Sequence, residues 1–233
     1  MTIIQEFTNL TANAFNLIRP YFMGRNRSTT DINTVVLHWA ASTNLISTIN
    51  TLQSKRYGYH FLIDKNGQVY QGSPLNKRVS HAGSSYGPKG KFVNSYSIGI
   101  SFLVSGTGGP DDFTEEMYDS CVALIKDVKL KIPTIKFITG HHWVSPGRKI
   151  DPYTLKWDLL MNKLGNGYEL WKTGYAPFPE GLSKCDCKEY FPNSRNCKKS
   201  IGPCADSEGY GYSERKLSTE VSSLSYQSDL DTE

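Results

Sequence analysis

Apolar positions along the chain fall into short strand-like runs and longer runs with a helical period. Three apolar or β-branched runs predict buried strands, at residues 34–39, 96–104 and 134–139. The stretch YHFLIDKNGQVYQG predicts a β-hairpin, because its Asn66-Gly67 dipeptide accepts the positive φ angles of a tight turn. The first run, TVVLHW, places His38 near the carboxyl end of its strand.

Three segments with helical spacing of apolar residues predict helices. The first is capped by Ser42 and continues to about Leu52, the second follows Thr114, and the third spans Leu155 to Leu164 before Gly165. Met117, Cys121, Leu124, Ile125 and Val128 lie on one face of the second helix. Because strands and helices are interspersed, we predict an α/β domain with a central mixed β-sheet flanked by helices.

The composition divides the chain unevenly. A chain of 233 residues with 38% hydrophobic content buries one full core. We predict four segments: an N-terminal extension (1–29), a main domain (30–170), a Cys-rich extension (171–205) and an acidic, disordered tail (206–233).

The net charge of +4 hides an asymmetry between the tail and the rest of the chain. Residues 205–233 carry −5 and the preceding residues +9, so the body suits a polyanionic partner. Aromatic residues do not alternate with Arg and Lys as they do in single-strand-binding proteins, which argues against nucleic acid. No stretch approaches the roughly 18 apolar residues of a membrane span.

Two histidines and an aspartate form a candidate metal site. A catalytic zinc ion needs three protein ligands and an open position for water. His38 ends one predicted strand, His141 follows another, and Asp151 comes after a Pro-Gly turn. The adjacent His142 is the alternative to His141, and hydrogen-bonding histidines without a metal are the alternative to the site as a whole.

Five segments, in order, carry a resemblance to a known family. They are VVLHW, YHFLIDKNGQVYQG, HAG, NSYSIGISF and GHHWVSPGRKIDP. Over roughly residues 30–165 the chain resembles the zinc-dependent N-acetylmuramoyl-L-alanine amidases, which include amidase-type phage lysozymes, wall-recycling amidases and peptidoglycan recognition proteins. The resemblance implies a hydrolase that cleaves the amide between the lactyl group of N-acetylmuramic acid and L-alanine.

The resemblance also implies roles for individual residues, with the main domain as the amidase domain. The implied zinc ligands are His38, His141 and Asp151. The implied catalytic residues are Lys149 and Tyr59, and the implied substrate-binding residues are His81 and Asn94. His60 alternates with Tyr59 along its strand and is interpreted as structural.

One position departs from the recycling branch of the family. A glutamate that orients water follows SIGI in that branch, whereas this chain has Ser101. We therefore assign the water-orienting role to Tyr59.

Four cysteines cluster beyond the main domain, at Cys185, Cys187, Cys197 and Cys204. They could hold a second, structural zinc, form two disulfides or remain free, and their C-x-C start departs from the usual zinc-ribbon spacing. Cys121 is expected to be buried.

The function expected from the sequence is endolysin-like, bacteriolytic degradation of the cell wall. The expected partner is peptidoglycan or a muropeptide, and the chain is expected to be a monomer. It would remain in the cytoplasm until released to the wall, because its N-terminus lacks the pattern of a signal peptide, or else be virion-associated. The alternatives are a non-catalytic peptidoglycan-binding recognition module and an intracellular muropeptide-recycling amidase.

Overall fold

A computed structural model describes residues 15–17, 24–105, 110–146 and 148–172 of the chain. The four clustered cysteines, with the predicted second zinc site, and the acidic tail lie outside the described residues. So do most of the N-terminal extension and nearly all of the Cys-rich extension. The division into four segments stays a prediction.

A seven-stranded mixed sheet forms the centre of the molecule. The strands of the described residues are β1 (Phe15–Leu17), β2 (Arg25–Asn26), β3 (Thr34–Trp39), β4 (Phe61–Ile63), β5 (Val69–Gln71), β6 (Lys77–Arg78), β7 (Tyr86–Gly87), β8 (Gly90–Lys91), β9 (Ser97–Phe102), β10 (Phe137–Gly140) and β11 (Glu169–Leu170). The order in the sheet is β1-β5-β4-β9-β3-β10-β11. Among the described strand pairs of this seven-stranded sheet, only β4–β5 is antiparallel, which confirms the predicted hairpin and the predicted mixed sheet.

Two further strand pairs, β2 with β6 and β7 with β8, lie outside this sheet. The strands β1 and β2 come from the segment predicted to precede the domain. They pair with β5 and β6, so these parts of that segment are hydrogen-bonded to the domain.

The described helices are α1 (Leu45–Ser54), α2 (Glu115–Lys131), α3 (His141–Val144) and α4 (Trp157–Leu164). Thr114 caps α2 as predicted, through a 3.3 Å bond from the amide of Met117 to its hydroxyl. The predicted cap of α1 was wrong, because Asn44 rather than Ser42 accepts from the amide of Ser47, at 2.8 Å.

The alternation of side chains along β3 separates the main core from the candidate site. Val35, Leu37 and Trp39 pack into the large core cluster that includes the apolar face of α2. Val36 belongs to a smaller cluster with Ala82 on the opposite face. Since alternate residues of a strand share a face, His38 lies on the face of Val36, away from α2. All six residues of β3 are buried.

Within the described ranges, the structure contains no helix with the length and apolarity needed to cross a bilayer.

Candidate metal centre and active site

Three side chains meet at the carboxyl ends of β3 and β10. The Nδ1 atoms of His38 and His141 lie 3.0 Å apart. Oδ2 of Asp151 lies 3.3 Å from Nδ1 of His38 and 3.1 Å from Nδ1 of His141. All three residues are buried, and together they could hold a metal ion. The structure thus brings together the three residues that the sequence predicted as a metal site.

The separations between these ligand atoms fit a tetrahedral zinc site. Zinc binds histidine nitrogen and carboxylate oxygen at about 2.0–2.2 Å, which places neighbouring ligand atoms of a tetrahedron about 3.3 Å apart. The three observed separations, 3.0, 3.1 and 3.3 Å, lie close to this spacing. Three protein ligands also leave a fourth position open, as catalytic zinc sites do.

The register of two parallel strands explains why the histidines meet. Gly140 at the end of β10 is the neighbour of Leu37 in β3, so the residues that follow these two, His141 and His38, reach the same level. The following loop returns Asp151 to this level, and its carbonyl accepts a 2.9 Å hydrogen bond from the amide of His142.

His142 points away from this group. Its Nδ1 atom lies 3.1 Å from the carbonyl oxygen of Asp151, and its ring packs against Trp143 at 4.3 Å between centroids. His141, as predicted, is therefore the member of the pair that accompanies His38 and Asp151.

Burial keeps the histidines of this region neutral. It lowers the pKa of His141 to about 3 and that of His142 to about 4. Burial also lowers the pKa of His38, although Asp151 opposes this shift. Burial alone would raise the pKa of Asp151, but His141 and His38 hold that pKa well below its usual value whenever their Nδ1 atoms donate a hydrogen bond to the carboxylate or their rings carry a positive charge. Neutral imidazoles and an ionised carboxylate are the forms that bind a metal.

Tyr59 is itself partly exposed, and its ring centroid lies 4.9 Å from that of His38. Burial and the charge of Asp151 raise the pKa of its hydroxyl, so the hydroxyl stays protonated at neutral pH and acts as a hydrogen-bond donor.

Ser101 is the neighbour of His38 in the sheet register. Its hydroxyl is buried and makes no well-aligned hydrogen bond, although the Tyr59 hydroxyl lies toward it.

Lys149 lies partly buried two residues before Asp151. Burial lowers the pKa of its ammonium group, and the nearby cations Arg148 and Lys55 lower it further, whereas Asp151 raises it. Its charge in turn lowers the pKa of His38 and His141, so this cation lies within electrostatic range of the group.

The two predicted substrate-binding residues have interior hydrogen-bond partners. Nδ1 of His81 lies 3.1 Å from Nε2 of His38, and the side chain of Asn94 accepts from the backbone amides of His81 and Ala82, at 3.2 and 2.8 Å. His81 is 7% exposed and Asn94 5% exposed. Their role in substrate binding stays a prediction.

His60 has a structural setting, as interpreted from the sequence. Its Nδ1 atom accepts a 2.9 Å hydrogen bond from the amide of Gly99 in β9.

Sequence reasoning missed Arg27 and Arg148, which support the loops around the group. The Arg27 guanidinium donates to the carbonyls of Asn94 and Ser97, at 2.8 and 2.7 Å. Arg148 donates to the carbonyl of Ser84 at 2.8 Å. No motif distinguishes these residues in the sequence from arginines at the surface.

Comparison with protein families gives a match over this part of the chain. The family model described as N-acetylmuramoyl-L-alanine amidase matches residues 28–154. Among curated proteins, the 1,6-anhydro-N-acetylmuramyl-L-alanine amidase AmpD of Enterobacter cloacae is 36% identical over 92 residues, which are 39% of this chain and 48% of that protein. The chain therefore spans about half the length of the curated relatives it matches.

Solved structures share the fold. AmiD from E. coli, solved in complex with the substrate anhydro-N-acetylmuramic acid-L-Ala-D-gamma-Glu-L-Lys, is 26% identical with a TM-score of 0.51 and covers 57% of each chain. A selenomethionine derivative of AmpD is 24% identical with a TM-score of 0.52, and the match covers 67% of this chain and 97% of that one.

Proposed function

We propose that this chain, which belongs to the N-acetylmuramoyl-L-alanine amidase family, hydrolyses the amide between N-acetylmuramic acid and L-alanine in peptidoglycan with a bound zinc ion. The observation that carries the proposal is the buried group of His38, His141 and Asp151, whose ligand atoms lie 3.0–3.3 Å apart. Non-catalytic recognition proteins tend to lose the third ligand. Its presence here as Asp151 favours an enzyme over a binding module.

The residues around the ligands suit hydrolysis of an amide. When bound, zinc supplies Lewis acidity and lowers the pKa of coordinated water toward about 7. Tyr59 is protonated at neutral pH and therefore cannot serve as the base; it donates a hydrogen bond to water or to the oxygen on which negative charge develops. Lys149 adds a positive charge beside the same oxygen.

The relatives support a muropeptide substrate. AmiD was solved with a peptide attached to anhydro-N-acetylmuramic acid, and AmpD of Enterobacter cloacae is named for cleavage at the same linkage. The anionic carboxylates of such a peptide match the cations Arg148, Lys149 and Lys55 near the candidate site.

The proposal is tested on purified peptidoglycan. The wild-type chain should release new amino groups of L-alanine, lose activity with a chelator and regain it with zinc. Asp151→Ala should abolish both zinc binding and release. Binding of peptidoglycan without release by the zinc-loaded wild type would support the recognition module instead.

We further propose that the protein acts as an endolysin on the intact cell wall. It would be held in the cytoplasm and then released to the wall. The rival proposal is recycling of soluble muropeptides, which the AmpD relatives favour, whereas Ser101 argues against close kinship with that branch. The ratio of kcat/KM on intact sacculi to kcat/KM on a soluble anhydromuropeptide distinguishes them. An endolysin prefers sacculi, and a recycling enzyme prefers the soluble substrate.

A further inference from the structure

A chain of hydrogen bonds runs from His38 into the interior on the side away from Asp151. Nε2 of His38 lies 3.1 Å from Nδ1 of His81, whose Nε2 lies 3.2 Å from the hydroxyl of Ser97. That hydroxyl donates to the carbonyl of Val93 at 2.6 Å. The three side chains that form this series of hydrogen bonds, His38, His81 and Ser97, are all buried.

With neutral imidazoles, only one arrangement of protons satisfies this series of hydrogen bonds. The carbonyl of Val93 can only accept, so Ser97 donates to it and accepts from Nε2–H of His81. Nδ1 of His81 then carries a lone pair and accepts from Nε2–H of His38. This leaves the lone pair of His38 on Nδ1, the atom that faces His141 and Asp151.

Ala82, which follows His81 in the same loop, orients His141. The carbonyl of Ala82 lies 3.1 Å from Nε2 of His141, and since a carbonyl only accepts, the proton of His141 is on Nε2 and its lone pair on Nδ1. The side chain of Asn94 holds both loop residues by accepting from their amides.

The backbone of β9 fixes the position of the His81 ring. A Cβ atom built on Gly99 would lie 2.6 Å from Cγ of His81, a distance that real Cβ atoms do not tolerate. Glycine at this position therefore allows the ring to pack flat against the strand. In this packed position the Nδ1 atom of His81 lies 3.1 Å from Nε2 of His38.

We propose that His81 is a positioning residue for the metal, which holds His38 in the tautomer and orientation that present Nδ1 to zinc, while the adjacent carbonyl of Ala82 does the same for His141. This inference rests on the proposed zinc-dependent function. His81 would then support the ligand His38 through a hydrogen bond, a role different from the predicted contact with substrate. Partners of this kind typically change metal affinity about 10–100-fold when they are removed.

Two substitutions of His81 separate this role from simple packing. The amide oxygen of Asn lies near the position of Nδ1, so His81→Asn keeps an acceptor for His38. The longer side chain in His81→Gln places its amide near the position of Nε2 and leaves His38 without an acceptor. The zinc Kd, measured by competition with a chelator, should rise about 10–100-fold in His81→Gln and only a few-fold in His81→Asn. Thermal unfolding with excess chelator checks that both variants are folded.

The tautomers themselves are observed by NMR of the zinc-loaded protein with ¹⁵N-labelled histidine. We expect His38, His81 and His141 each to carry the proton on Nε2. A proton on Nδ1 of His81, or equal zinc Kd values in the wild type and both folded variants, overturns the inference alone. Failure of the wild type to bind zinc overturns the proposed function and this inference together.

Discussion

Nδ1 of His38 and Nδ1 of His141 face each other across 3.0 Å, with Oδ2 of Asp151 within 3.3 Å of both. Two lone pairs and a carboxylate at such separations form an arrangement that a bound cation stabilises. Zinc should therefore stabilise the folded protein. At a free zinc concentration of about 1,000 times Kd, the free energy of unfolding should rise by about 4 kcal/mol.

Thermal unfolding with chelator and with added zinc measures this effect. Asp151→Ala should remove the zinc-dependent rise in Tm, while Asp158→Ala, an exposed aspartate of α4, should keep it. Equal rises in Tm for the two variants would contradict the ligand set.

Tyr59→Phe should reduce turnover with little effect on zinc binding. The hydroxyl is a protonated donor on a ring that packs against His38, and loss of one such donor to a developing oxyanion typically costs about 10²–10³ in kcat. The measurement is kcat on a soluble muropeptide together with zinc Kd. Tyr57→Phe, at a side chain that is 55% exposed, is the matched control and should retain wild-type kcat. A Tyr59→Phe variant with full turnover would remove Tyr59 from the mechanism.

The stability of the zinc-free protein should fall below about pH 6.5. Burial lowers the pKa of His142 to about 4 in the folded state, whereas an unfolded histidine has a pKa of about 6.5. The unfolded chain therefore binds more protons in this window, so stability is present above pH 6.5 and is lost as the pH falls toward 4. At pH 5 this one histidine should cost about 2 kcal/mol.

Urea unfolding at pH 7 and pH 5, with chelator present, checks this linkage. Between pH 7 and pH 5, the free energy of unfolding of His142→Phe should fall by about 2 kcal/mol less than that of the wild type. Equal losses in the two proteins would show that His142 is not held neutral by burial.

Gly99→Ala should weaken zinc binding although Gly99 is not itself one of the proposed zinc ligands. The added methyl group displaces the ring of His81, and the loss of its bond to His38 should raise the zinc Kd about 10–100-fold. A double-mutant cycle with His81→Ala tests the route of this effect, because the methyl group has room once the ring is gone. Gly99→Ala should then add little to His81→Ala, whereas additive effects on Kd would indicate an independent disturbance of β9.

Patterns in the sequence predicted the parts of the site that depend on strand ends. The apolar run before His38 and the run before Gly140 both predicted strands, and parallel strands of one sheet bring their carboxyl ends together. A turn at Asn66-Gly67 was also predicted from the sequence. Gly67 has a positive φ of 75°, whereas Asn66 does not have a positive φ.

Other features depended on contacts between residues far apart in the chain. The sequence shows that His81 precedes Ala-Gly, but not that its ring is turned inward to His38, 43 positions earlier. The Arg27 side chain likewise donates hydrogen bonds to backbone carbonyl groups. Every residue carries such a group, so no pattern of side chains in the sequence predicts these bonds. The cap of α1 was misjudged because Ser42 and Asn44 are both good caps, and the local backbone decided between them.

The most direct test of the account is the identity of the bond that is cleaved. Purified peptidoglycan, digested with the zinc-loaded chain, should yield by mass spectrometry peptides that begin with a free L-alanine amino group and glycan strands with intact lactyl groups. Both products should be missing from the digest with Asp151→Ala. Cleavage at a glycosidic bond or within the peptide, or the same products from Asp151→Ala, would contradict the proposed zinc-dependent amidase activity.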